Sequence, residues 1–135
     1  MSRSPRRPRA VIDADHLGRL ESLAEAASAG LPQVAEPLLS KLATARVVPA
    51  SRMPGDVVTL NSALTYRDDI SGREQDVTLA WPEDADISQG AVSVLTPIGV
   101  ALLGLPVGAS VTWTTRNGQE RTLTVLRLGV APVAA

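Results

Sequence analysis

The 135-residue chain has no cysteine, no phenylalanine and one histidine. Without thiols it can build neither a disulfide framework nor a thiolate metal site, and His16 alone cannot form a histidine cluster. Thiol redox chemistry and zinc sites of those kinds are therefore excluded, and no cofactor is expected. The aromatic complement is Tyr66, Trp81 and Trp113. Stacking platforms for single-stranded nucleic acid and aromatic-walled ligand pockets need several rings converging on one place, which three dispersed rings hardly supply. A phosphate-cradling glycine-lysine motif is also missing. The N-terminal arginines are followed at once by Asp13 and Asp15 rather than by the apolar segment of a secretory signal, so a cytoplasmic protein is expected.

Charge is unevenly distributed. Four of the thirteen basic residues fall within the first nine positions, and all fourteen acids lie beyond them. This predicts a disordered, solvated basic tail over residues 1–10, with a weak phosphate-backbone contact as its alternative role. An acidic body argues against a nucleic-acid-binding domain, because phosphate contacts need clustered Lys and Arg.

Between Asp86 and Arg116 no residue is charged. A membrane span is the first reading of such a run, since about 20 apolar residues cross a bilayer. Pro97, Gly99, Gly104, Pro106 and Gly108 interrupt it, so no membrane contact is expected. The run reads instead as a strand, a short helix and a strand. Thr96 is placed to cap that helix, Pro97 to open it and Gly104 to close it.

From Asp13 to Ala27, Leu17, Leu20, Leu23 and Ala27 recur at helical spacing, and Asp13 or Asp15 can cap the start. Gly30 suits a helix end and Pro32 the start of the next. Val34, Leu38, Leu42 and Ala45 repeat the period from about Gln33 to Arg46, with Lys41 and Arg46 placed to complement the dipole of that helix. Pro37 leaves open whether the second helix begins before or after it. The expectation is a short antiparallel helical hairpin of coiled-coil type over residues 11–48. Its tip is marked by Glu25, Ser28, Gly30 and Leu31, with no acid between Glu25 and Glu36. Arms of this length are marginal alone, so the hairpin must lean on another part of the chain.

After the linker "VVPASRMPGD", the runs "DVVTLNSALTYRD" and "REQDVTLAWPED" flank the turn "DISG" and read as paired strands. "GAVSVLT" reads as a third strand, and Asn117-Gly118 as the turn of a terminal hairpin. The acidic pairs, Asp68 with Asp69 and Glu83 with Asp84 and Asp86, fall in turns and read as solvated loops rather than acid-base catalysts. His16 reads as a surface residue. The fold class is α+β.

"MPGDVVTLNS", "SVLTPIGVALLGLPVG" and the Asn-Gly hairpin resemble the C-terminal domain of the bacterial Gre transcript-cleavage factors. The short helical hairpin resembles more closely the branch of that family formed by regulators of nucleoside diphosphate kinase. The resemblance extends from about Val11 onward. It implies an FKBP-like antiparallel sheet with one short helix over residues 53–131, and RNA polymerase as partner, bound near the rim of its secondary channel. In Gre factors two acids at the tip of a long hairpin help hold a magnesium ion in the polymerase active centre. Here the arms are short and the tip carries no acid, so the resemblance implies a non-catalytic regulator that competes with Gre factors. Thr96, Pro97, Ile98 and Gly99 match the family's polymerase-facing region, although capping and opening the helix explain Thr96 and Pro97 equally well. Ala109 stands where the family usually has Asp. A monomer is expected, with no metal site. A plain interaction module that dimerises through its leucines is the alternative. A peptidyl-prolyl isomerase, suggested by the FKBP-like fold alone, needs an aromatic-walled proline pocket that this composition does not easily build.

Overall fold

The computed structural model describes residues 9–115 and 117–129. The basic tail expected over residues 1–10 lies outside them apart from Arg9, whose Nε donates to the Thr44 carbonyl, and Ala10, which is buried.

The chain opens with a short strand, β1 (Val11–Asp13), followed by helices α1 (Ala14–Ala27) and α2 (Pro32–Thr44) and a strand β2 (Arg46–Val48). Asp13 caps α1, its carboxylate accepting from the Asp15 amide at 2.8 Å. Pro32 opens α2, so the second helix begins before Pro37 and contains it. Lacking an N–H, Pro37 leaves the Gln33 carbonyl without its helical donor. The second helix stops short of Arg46 because Arg46, Val47 and Val48 pair in parallel with Val11, Ile12 and Asp13. Parallel strands require a crossover between them, and here the two helices are that crossover. The expected hairpin is therefore closed at its base by a two-stranded ribbon, which helical periodicity did not reveal.

The remainder forms β3 (Ala63–Asp68), β4 (Glu74–Ala80), β5 (Ala91–Ser93), helix α3 (Pro97–Leu102), β6 (Ser110–Thr114) and β7 (Glu120–Gly129). Their sheet has the order β5-β4-β3-β7-β6. Pairing is antiparallel for β3/β4, β3/β7 and β6/β7, but β5 runs parallel to β4, so the sheet is mixed rather than wholly antiparallel. The chain between them, with 3-10 turns at Pro82–Asp84 and Ile87–Gln89, is long enough to bring it back in the same direction. The strand, helix and strand expected in the uncharged run are β5, α3 and β6.

One hydrophobic core serves both parts. Leu20, Leu38 and Leu42 of the helices pack in the same cluster as Leu64, Leu79, Leu102 and Leu123. The marginal hairpin is stabilised by this shared burial, at about 25 cal/mol per Å² of apolar surface removed from water. No helix among the described residues is long and apolar enough to cross a membrane.

Candidate docking surface around the short helix

Helix α3 has six residues and is held at both ends by other parts of the chain. At its start Thr96 is extended, with its Oγ1 accepting from the Gly99 amide at 3.1 Å and donating to the Ser93 carbonyl at 2.7 Å. Gly99 is buried where a Cβ would lie 2.2 Å from the Ser93 carbonyl oxygen and 2.8 Å from the Val94 Cα. The helix therefore packs backbone to backbone on the chain leaving β5, and only glycine permits that approach. Thr96, Pro97, Ile98 and Gly99 thus come together in one turn. Gly99 is enclosed, whereas Thr96, Pro97 and Ile98 are half-buried and present part of their surface outward.

Pro97 also borders a cleft of about 850 Å³ between α2, α3 and β6, whose walls include Pro37, Lys41, Val100, Val111 and Trp113. β6 is an edge strand. The indole Nε1 of Trp113 is buried beside this cleft with no hydrogen-bond acceptor among the described residues. Sequence reading did not anticipate the cleft, because its walls come from segments far apart in the chain.

Lys41 lies in the last turn of α2, as expected, and makes contacts beyond it. Its ammonium donates to the carbonyls of Val100 (2.5 Å), Ala101 (3.1 Å) and Leu103 (2.8 Å) at the end of α3. A cation at a helix C-terminus is favourable, since carbonyls there lack helical partners. The signal was present in the sequence: Val34, Leu38, Lys41 and Ala45 form one stripe at spacings of four and three, so this lysine lies on the inward face.

A second set of contacts fixes α1. The Arg19 guanidinium lies 4.0 Å from the Trp81 ring centroid and forms an ion pair with Glu83. His16 meets Trp81 edge-on at 5.5 Å between centroids and places Nδ1 3.5 Å from the Thr59 hydroxyl. It is half-buried, not the surface residue expected from its position in the first turn. Gly104, after α3, has φ +78 and accepts from the Val11 amide at 3.1 Å; a Cβ there would lie 2.7 Å from that of Ala10.

The tip of the hairpin is different in kind. Glu25, Ser28, Gly30 and Leu31 are exposed, and the turn is closed locally by Ser28 donating to the Glu25 carbonyl and the Leu31 amide to the Ala27 carbonyl. Ser28 ends α1 in right-handed helical conformation, and Gly30 does not adopt the left-handed geometry of a glycine terminator. No group of three or more His, Cys, Asp or Glu able to hold a metal occurs among the described residues. The pair Asp68 and Asp69 is structural. Asp68 accepts the Ile70 and Ser71 amides, and these bonds hold its carboxyl below the usual range. The hydroxyl of Thr124 does the same for Asp69, aided by Arg67.

Residues 53–129, the linker end and the whole mixed sheet, match the family model described as "Transcription elongation factor, GreA/GreB, C-term". The chain belongs to the GreA/GreB family. Similarity to family members is not uniform in extent. The regulator of nucleoside diphosphate kinase of Escherichia coli (strain K12) is 38% identical over 130 residues, covering 96% of this chain and 95% of that protein. Transcription elongation factor GreA of Desulfovibrio desulfuricans is 35% identical over 72 residues, 53% of this chain and 44% of that protein. A solved structure of the prokaryotic transcription elongation factor GreA/GreB from Nitrosomonas europaea aligns with a TM-score of 0.71 and 33% identity, over 92% of this chain and all of that one. The chain is thus a transcription-related, Gre-like regulator, and its similarity to the regulator of nucleoside diphosphate kinase covers nearly all of both chains.

Proposed function

We propose that this Gre-like chain binds bacterial RNA polymerase near the rim of the secondary channel and obstructs the channel mouth without stimulating transcript cleavage. The first turn of α3, Thr96 to Gly99, and the adjoining cleft face the polymerase, while the hairpin stands in the opening and competes with longer Gre factors. The observation that carries this reading is the tip. At 1.5 Å per residue, the 14 residues of α1 extend only about 21 Å. The nearest acids, Glu25 and Glu36, lie on different arms, whereas a magnesium ion takes closely grouped oxygen ligands at about 2.1 Å. A hairpin of this kind fills space but brings no metal ligands to a distant active centre.

The chain acts as a monomer in this proposal. Dimerisation through the leucine seam is disfavoured because Leu20 and Leu38 are fully buried within the chain and Leu42 nearly so. Co-sedimentation with core RNA polymerase, with and without a Gre factor as competitor, tests the reading. Binding that the Gre factor displaces is expected, and Pro97→Glu should weaken it while preserving the fold. Absence of binding, or binding indifferent to a saturating Gre factor, would contradict the proposal.

A further inference from the structure

We infer that Lys41 is a positioning residue: its ammonium, chelated by the end of α3, fixes the direction of the helical hairpin relative to the docking helix. The inference rests in part on the proposed use of α3 as the docking element, but its geometry is independent of that use. Continuing α3 by helical hydrogen bonds would require the Gly104 amide to reach Val100 and the Leu105 amide to reach Ala101. Both are engaged elsewhere, Gly104 donating to Val58 at 2.8 Å and Leu105 to Leu102 at 3.1 Å. The Val100, Ala101 and Leu103 carbonyls turn instead to one cation carried by α2, 59 to 62 residues away in the chain. Three part-buried, charge-assisted bonds converging on a single nitrogen define a point of attachment, whereas apolar packing alone permits sliding.

This attachment lies one turn before α2 ends, while Arg19 of α1 makes its own contacts with Trp81 and Glu83. Each arm of the hairpin is consequently held by its own contact to the rest of the chain. Thr96 caps the other end of α3 through its own bonds to Gly99 and Ser93, so the docking turn does not depend on Lys41. Losing the lysine should therefore leave docking in place and release the hairpin.

The chain has no cysteine, so a pair introduced at Ser28 and Gln75 can carry spin labels at unique positions on the tip and the sheet. In that background, the unsubstituted lysine should give one narrow distance distribution. Lys41→Met, which keeps the stem and removes the donors, should broaden or shift it. Lys41→Arg, which retains charge and donors, should restore much of the narrow distribution, a rescue that a purely space-filling role would not require. An unchanged distribution in the Met variant overturns the inference. If that variant fails to fold, Lys41→Gln replaces it, with broadening expected and an unchanged distribution again contradictory. With polymerase, the Met variant should still bind through the docking turn, but with affinity, and hence competition against a Gre factor, lowered about tenfold because the released hairpin no longer enters the channel in register with that turn. A parent chain that does not bind polymerase would defeat the functional proposal, while the label distances would still decide the role of Lys41.

Discussion

The base and the tip of the helical hairpin differ in almost every physical respect. At the base, backbone pairing of Val11–Asp13 with Arg46–Val48 ties the two arms together, the Lys41 ammonium holds the end of α3, and Arg19 stacks on Trp81 just after β4. At the tip, a local turn closes itself and its side chains face outward. In a protein whose hairpin delivered catalytic ligands, distinctive chemistry would be concentrated at the far end. Here it is concentrated at the base, in keeping with the obstructing role proposed for the hairpin.

The contrast can be broken most forcefully at the shared core. Leu38→Ala removes a fully buried side chain from α2 and should cost about 2–5 kcal/mol. Because the core is common, thermal denaturation should show helix and sheet melting together at a lower temperature. Two separate transitions would mean that the base does not unite the two parts. Gly104→Ala comes next, since it combines left-handed backbone, at about 1–3 kcal/mol of strain, with a 2.7 Å contact to Ala10. It should lower the melting temperature and loosen the seat of β1, detectable as faster amide exchange at Val11.

At the tip, the double substitution Ser28→Asp with Ala29→Asp should cost about 1 kcal/mol in denaturant titration, since it removes the Ser28 hydroxyl bond to the Glu25 carbonyl and places negative charge at the C-terminus of α1. It should also fail to create transcript cleavage, because reach is lacking as well as ligands. Gain of cleavage would show that length is not limiting. The mildest effect is expected from acid. Asp68 and Asp69 are held below the ordinary carboxyl value of 3.8 in the folded chain, so their contribution is present above that pH and is lost as pH falls through their lowered values. Asp68→Asn with Asp69→Asn should therefore flatten the acid limb of a stability-pH curve below about pH 4.

Much of this was legible from residue order because local chemistry dictated it. Asp13 and Thr96 cap their helices and Pro32 and Pro97 open them, as their side chains and backbone preferences predict. The last hairpin turns at Asn117-Gly118, although of the two only Gly118 is left-handed (φ +81) and the loop between β6 and β7 is longer than two residues. The parallel β1/β2 pair was not legible. Its strands are three residues each and sit beside strongly periodic helices, so neither alternation nor turn chemistry marks them. The strand β5 was expected but its parallel direction was not, since strand direction depends on the route of the connecting chain. At the candidate site, Thr96 to Gly99 were identified by resemblance, whereas the cleft lined by Trp113 exists only once α2 and β6 are brought together. Lys41 does lie in the last turn of its own helix, but its bonds to the end of α3 were not legible, because they require knowing which helix terminus is near.

The most direct test of the central claim is RNA cleavage in stalled elongation complexes of bacterial RNA polymerase, with the purified chain added at saturating concentration. The account predicts no stimulation above the intrinsic rate, and inhibition of Gre-stimulated cleavage when both proteins are present. Stimulated cleavage by this chain alone would contradict it.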